Sequence, residues 1–434
     1  MELALHSRTV LLLTVGTGTA EELDATVLKP FAKSIQKGEW EKVVLFPSKV
    51  TEGNAFLLRD AHPSVPIEVK ALRKAGAEED VDACFEHFDM EIGRLKESGF
   101  ASAGMTADFT RGTKAMSAGL ALAAVAQGIG KLRYVGATKR DGRGMALPGF
   151  EVAAETSADS VLERQLLLRG LDYLRAGNFR AAAGLFPGWP TIQYSGPRVA
   201  EIRWLCWLAA FWGAWDSFDY KKAKELSAES RQPKGKLGWL AELTPSKDQI
   251  ELLAQLTKRE PDAWAEKANG CRALAADLLA NAGRRLREGQ TEEALVRAYR
   301  VLELIGQLRL FGHELDSEDI DRRHGIARGW LAAQTDAPRE DSMGRLPIGR
   351  EKVASLLSAL GDDLAPKLTQ LDWLGEFQPQ LRNRSILIHG FKSRTREKTA
   401  EITELLKRLE EFYEGESEGN ARRLAAARFG FLAN

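Results

Sequence analysis

The sequence is short of cysteine. Of 434 residues only Cys84, Cys206 and Cys271 carry a thiol, far apart and without CxxC spacing. That excludes a disulfide framework and a cysteine zinc site, and it points to reduced thiols in a cytoplasm. Net charge is missing too: 61 Lys and Arg balance 61 Asp and Glu. Such a balance argues against a protein that coats polyanions with its whole surface, but it leaves room for a local basic patch. The longest apolar run, Trp204–Trp212, has nine residues, well short of a membrane span. The opening MELALHSRTVLLLTVG has no basic leader and no small-residue cleavage site, so it is expected to form a first strand of a cytosolic protein and no signal peptide. His6, His62, His87, His313 and His324 show no HxH or HExxH spacing and are read as surface or core residues. No GxSxG, zinc or paired-carboxylate constellation occurs, and no metal is expected.

What is present divides the chain by periodicity. Residues 1–155 alternate strand-like runs (Thr9–Gly16, Lys42–Ser48, Pro66–Leu72, Ala101–Phe109, Lys131–Thr138) with amphipathic stretches such as Val81–Lys96 and Thr113–Gln127. Strand–helix alternation of this kind predicts a parallel, doubly wound sheet, here followed by a Gly-rich loop at Thr138–Gly149 and a short hairpin strand at Phe150–Ala154. From about residue 156 the strand signal stops and Leu, Ala, Glu and Arg recur at helical spacing. The fold class is therefore α/β, then all-α, with boundaries expected near 155 and 272 and a loop inside the last third near 336–349. Leu174–Ala182 and Leu286–Ala294 both place Leu-Arg-x-Gly before a polar turn, which reads as two similar helix-hairpin joints. A break rich in Pro, Lys and Gly lies at Ser230–Gly238. Seven of the ten tryptophans fall between Trp189 and Trp264. Trp204, Trp207, Phe211 and Trp215 share one helical stripe, which fits a core or subunit interface better than a base-stacking surface.

Two loops in the first half have phosphate-binding chemistry. TVGTGTAEEL puts Gly16 and Gly18 at the end of the first strand, where backbone N–H groups favour an anion. A dinucleotide fingerprint is excluded, because the third glycine is missing and the second strand ends in Phe46-Pro47-Ser48, with no acidic residue for a ribose. DFTRGTKAM runs from Asp108 through Thr110, Arg111, Gly112, Thr113 and Lys114 into a helix, a cradle for phosphate or ribose. It is not a P-loop, since the order Gly-Lys-Ser/Thr is absent.

Near the end of the chain, QLRNRSILIHGF sets Arg382, Asn383, Arg384 and His389 among apolar residues. Charge in a half-buried helix is costly unless something needs it. Arg382 and His389 are seven positions apart, about 700° on a helix and so about 20° short of two turns. They therefore share a face, whereas Arg384 lies about 140° from His389. Lys392, Arg394, Arg396 and Lys398 follow, either a guide for an RNA backbone or a solvated helix end.

TVGTGT after strand one and DFTRGTKAM after strand four resemble the CARF domains of type III CRISPR systems. RNRSILIHG resembles the HEPN ribonuclease motif, an Arg and a His with four to six residues between them. In this order the two resemble the CARF–HEPN ancillary ribonucleases over roughly residues 1–155 and 275–415. The resemblance implies a Rossmann-like CARF domain (1–155), a helical linker (156–272) and a HEPN domain (273–434). It further implies a cytoplasmic homodimer that uses no cofactor, cuts single-stranded RNA and is activated by cyclic tetra- or hexa-adenylate. By the same resemblance Thr17, Gly18, Thr110, Arg111, Gly112, Thr113 and Lys114 are ligand residues, and Arg382, Asn383 and His389 are catalytic. Arg384 also fits the motif's spacing, but Arg382 is favoured by the following Asn383 and by the shared face. RNA supplies its own 2′-OH nucleophile, so cleavage needs only proton transfer by an imidazole and donors on the phosphorane. A 2′,3′-cyclic phosphate and a 5′-hydroxyl are the expected ends. Two alternatives stand beside this reading: a ligand sensor without nuclease activity, and a CARF domain that itself cleaves the cyclic ligand through Thr110 and Lys114.

Overall fold

A computed structural model of the chain describes residues 8–17, 29–36, 38–139, 142, 150–186, 198–229, 242–258, 263–371 and 399–432. The chain forms two compact units, Met1–Leu168 with Gln193–Val199, and Arg169–Ile192 with Ala200–Asn434.

The first unit is built on a six-stranded sheet of order β3-β2-β1-β4-β5-β6. Its strands are β1 (Val10–Val15), β2 (Lys42–Pro47), β3 (Ile67–Val69), β4 (Met105–Asp108), β5 (Lys131–Ala137) and β6 (Glu151–Ser157). The first five are parallel, and β6 runs antiparallel along the whole of β5. All six residues of β1 are buried, because helices cover both faces of the sheet, and its VLLLTV is accordingly an unbroken apolar run. Val10 and Leu12 join Val44 and Phe46 under α3 (Val81–Glu97) and α4 (Lys114–Ala126). Leu11, Leu13 and Val15 point the other way, toward Phe31 and Ile35 of α1 (Lys29–Gln36) and Ala55 and Leu58 of α2 (Glu52–Ala61).

The doubly wound sheet agrees with the sequence reading, while three strands differ in extent. β3 has regular strand geometry only over Ile67–Val69, yet Lys70 and Leu72 still donate to Leu45 O and Pro47 O at 2.8 and 2.9 Å. Of the expected strand Ala101–Phe109 only Met105–Asp108 is extended. Ser102–Gly104 is a 3₁₀ turn tethered by Ser102 Oγ to Gln127 O at 2.8 Å. The expected hairpin strand Phe150–Ala154 is longer, Glu151–Ser157, because its polar alternation suits a sheet edge.

The second unit is helical. After α5 (Asp159–Arg175) come α6 (Phe179–Gly184), α7 (Val199–Asp216), α8 (Tyr220–Glu229), α9 (Lys247–Leu256), α10 (Trp264–Arg287) and α11 (Thr291–Gly312). These are followed by α12 (Gly325–Ala332), α13 (Arg350–Ala359), α14 (Ala365–Gln370), α15 (Thr399–Gly415) and α16 (Asn420–Ala427). Both expected hairpin joints occur: Gly177 and Gly289 sit at φ +76° and +75°, ending α5 and α10 in the left-handed conformation that glycine adopts without strain. The expected loop at 336–349 is also present, whereas Ser230–Gly238 lies outside the described residues. The tryptophan stripe is core. Trp204, Phe211 and Trp215 are buried, Trp207 is half-buried and stacks on Trp204 with ring centroids 4.4 Å apart, and Phe429 packs at a tilt against the buried Trp212 at 4.5 Å.

Among the described residues no helix is long and apolar enough to cross a membrane. The three thiols are free and buried, and burial pushes Cys84 up to about 11 and Cys206 and Cys271 up to about 12. His87 is buried against Lys70 O, His313 pairs with Asp362, and His324 caps α12.

One carboxylate in this core has a measurable signature. Asp277 is fully buried and accepts Trp215 Nε1 at 2.9 Å and Tyr220 OH at 2.7 Å. Burial pushes it above the usual carboxylate range. The folded chain then holds this proton more tightly than the unfolded one. The resulting stability is present at low pH and is lost as pH rises from about 4 through the raised folded value. Asp277→Asn is expected to remove that fall, seen as urea midpoints that change less between mildly acidic and neutral pH than in the wild type. Asp277→Ala strips the indole and the phenol of their acceptor and should cost about 1–3 kcal/mol for each.

Candidate functional site

The order of the sheet reverses between β1 and β4, since β1 continues outward to β2 and β4 to β5. Open α/β sheets bind ligands at the carboxyl ends of the strands flanking such a switch point. Gly16 and Thr17 leave β1 there, and Thr110–Lys114 leave β4 beside them. The two loops touch through their backbones. A Cβ added to Gly16 would sit 2.9 Å from Gly112 N, closer than side chains approach main chain. Gly112 itself has φ +101°, and a Cβ there would crowd Thr14 Cβ and Met116 Cβ at 3.2 Å. Both glycines are therefore required by contact, and Gly112 also by backbone conformation.

The first loop is held from α2. Asn54 Nδ2 donates to Gly16 O and Thr17 O, both at 3.1 Å, and Thr51 Oγ1 donates to Val15 O at 3.0 Å. The second loop is held from within the sheet. Thr110 N donates to Asp108 Oδ1 at 3.0 Å, and the Thr110 hydroxyl donates to the same oxygen. That hydroxyl also accepts Val135 N at 2.7 Å. Thr113 caps α4 by accepting Met116 N at 3.1 Å, and its hydroxyl donates to Glu78 O. Thr14 donates to Arg111 O. The two loop threonines thus spend their hydroxyls on the protein, so what they contribute to a ligand is the shape of the backbone.

Lys114 is exposed in the first turn of α4, a turn with no acidic residue, and Arg111 lies three residues before it in the sequence. A cation at the positive end of a helix dipole is unfavourable by up to about 1 kcal/mol, and a bound anion reverses that. The cluster is therefore suited to phosphate.

Beneath the loop runs a buried polar chain that no sequence motif announces. Asp108 Oδ2 accepts the Ser34 hydroxyl, Ser34 O accepts Arg133 Nη1 at 2.7 Å, and Arg133 Nη2 pairs with Glu155 Oε1 at 2.7 Å. Arg133 is 1% exposed, with its guanidinium 5.2 Å from the Trp40 ring. The chain links the ligand loop to α1 and β6. Asn54, Thr51, Ser34 and Arg133 are the supporting residues that motif reading missed, because their partners are distant in sequence.

Thr17, Thr110, Arg111, Gly112, Thr113 and Lys114 therefore belong to one adjoining pair of loops. Gly18 lies outside the described residues, as do Arg382, Asn383, Arg384 and His389. Among the described residues no three His, Cys, Asp or Glu side chains gather as a metal site.

Residues 265–413 match the family model of the Csm6 HEPN domain, a span that runs from α10 into α15 and contains Arg382, Asn383 and His389. Among solved structures the chain is similar to Enterococcus italicus Csm6 bound to cyclic hexa-2′-fluoro-hexa-dAMP. The two share 14% identity and a TM-score of 0.57, over 98% of this chain and 100% of that one. At that identity the likeness is one of fold. No curated protein matches the chain. Residues 265–413 are thus similar to the Csm6 HEPN domain by family model, and nearly the whole chain is similar in fold to the Enterococcus italicus protein.

Proposed function

We propose that the chain is an ancillary nuclease of type III CRISPR defence: a metal-independent endoribonuclease for single-stranded RNA, switched on by a cyclic oligoadenylate and working as a cytoplasmic homodimer. Residues 1–155 serve as ligand sensor, 156–272 as helical linker and 273–434 as ribonuclease. The observation that carries the reading is the glycine-jointed pair of loops at the sheet's switch point, with Lys114 exposed in the first turn of the helix that follows. It is supported by a fold relative bound to a cyclic hexanucleotide and by the HEPN match over residues 265–413.

In this reading Thr17, Gly18 and Thr110–Lys114 hold the phosphates of the ring. The Thr110 hydroxyl is engaged by Asp108 and Val135, which favours binding over cleavage of the cyclic ligand by that residue. In the HEPN domain His389 takes the proton of the RNA 2′-OH, whose oxygen attacks the adjacent phosphorus. The 5′ oxygen leaves with a proton supplied by the same histidine of the second copy. Arg382 holds the non-bridging oxygens through its planar donors, and Asn383 orients the phosphate.

The test is cleavage of labelled single-stranded RNA by the purified chain, with and without cyclic tetra- and hexa-adenylate, in buffer containing EDTA. At least a tenfold acceleration by one ring size, unaffected by EDTA, with 2′,3′-cyclic phosphate ends, is expected. No cleavage with either ring would leave a sensor, and cleavage that EDTA abolishes would overturn the metal-independent mechanism.

A further inference from the structure

Within the second unit, α10, α15 and the tail after α16 enclose a cavity of about 410 Å³. Its lining includes three guanidinium groups, on Arg284, Arg287 and Arg428, against one carboxylate, Glu410. Arg284 is 3% exposed and is fixed from behind: Nε donates to Asp216 Oδ1 at 2.7 Å, Nη1 donates to Ala427 O at 3.1 Å, and the Phe429 ring lies 3.9 Å away. Its Nη2 is buried without a hydrogen bond, 3.8 Å from Asp277 Oδ1. Asp216 must also serve Arg285, and Glu410 serves Arg428 at 2.8 Å. Burial, and after it the Arg284 charge, hold the Arg287 guanidinium below its ordinary value, with Glu288 opposing them.

The floor of this cavity, at the half-buried Gly283, is unfilled, and Gly430 lies on its exposed rim. Gly283 and Gly430 both line it, and a Cβ added to either would meet no atom within 4 Å. Gly283 stands in the interior of α10, where glycine costs about 1 kcal/mol relative to alanine. Three neighbouring guanidinium groups around unfilled space offer forked donors to an anion between them.

We propose that this cavity is a phosphate-binding site, taking the phosphodiester of a single-stranded RNA or the phosphate of a free nucleotide through Arg284, Arg287 and Arg428. Arginine forks match phosphate oxygens in pairs, and the volume exceeds that of one phosphate, so an attached sugar or base fits. None of these residues belongs to the ligand loops or to the Arg382–His389 motif, so the proposal does not depend on the ribonuclease reading.

The test is equilibrium binding to the full chain of three probes: a 2′-O-methyl hexanucleotide that cannot be cut, adenosine monophosphate and inorganic phosphate. Gly283→Leu, which fills the floor, is expected to weaken the bound probe at least tenfold with an unchanged melting temperature. Arg428→Ala and Arg287→Ala should each weaken it several-fold and flatten its salt dependence by about one unit. Binding of the hexanucleotide alone identifies a strand, and equal response of the mononucleotide identifies a free nucleotide. Wild-type affinity for all three probes in both arginine variants would overturn the proposal, whether or not Gly283→Leu folds. So would failure of the wild type to bind any of the three. Because no probe is cleaved, either result leaves the ribonuclease reading to its own assay.

Discussion

Replacing His389 with alanine is expected to lower activated RNA cleavage by about 10²–10⁴-fold, the usual worth of a general acid–base group. The expectation rests on spacing and chemistry. On the helix that the sequence leads one to expect, seven positions would bring Arg382 and His389 to one face, and imidazole is the side chain whose ordinary pKa permits both removal and return of a proton near neutrality. Loss of the imidazole leaves the phosphate held by Arg382 with nothing to deprotonate the 2′-OH. Binding of the cyclic ligand, measured separately, should stay at wild-type strength, since the sensor loops belong to the other unit. The same assay separates the two candidate arginines. Arg382→Ala should fall about as far as His389→Ala, and Arg384→Ala much less. If His389→Ala cuts RNA at the wild-type rate, the assignment of the motif is wrong.

Gly16→Val is expected to weaken binding of the cyclic oligoadenylate by at least a hundredfold. The Cβ that any side chain brings would lie 2.9 Å from Gly112 N. Neither side of that contact is a flexible tip, so the loops after β1 and β4 must separate. Separation displaces Arg111 and Lys114 from Thr17 and opens the Thr14 bond to Arg111 O. A milder variant gives the scale: Lys114→Ala removes one exposed cation and should cost about tenfold, or about 1.4 kcal/mol. Circular dichroism should show the sheet intact in both. Ligand affinity in Gly16→Val equal to wild type would remove the loops from the binding site.

Much of this architecture is legible in the residues themselves, and the reasons differ by element. β1 is visible because a strand buried on both faces is apolar throughout, as VLLLTV is. The helices at Val81 and Thr113 are visible because their start signals are local: Asp80 and Thr113 accept backbone N–H groups two or three residues on. The turn at Ser102 was hidden, since small residues with no side chain to pack pass as strand. β6 was underestimated because its side chains are mostly exposed, and Glu155, itself exposed, shows its role only by receiving Arg133 of β5. The glycines of both loops can be read in advance as backbone requirements, yet the contact between Gly16 and Gly112 joins positions 96 apart and exists only once the sheet is ordered. Arg133 shows the limit most clearly. In KLRYVGAT it reads as a surface residue of a strand, and only Ser34 and Glu155, from elsewhere in the fold, make it a buried one.

The hydroxyls of Thr110 and Thr113 are bonded inside the protein before any anion arrives. Few torsions are then left to freeze when a guest docks, so the entropic penalty on association is small. A stiff seat cannot remodel itself around the wrong shape, and discrimination between rings of different size falls to geometric match.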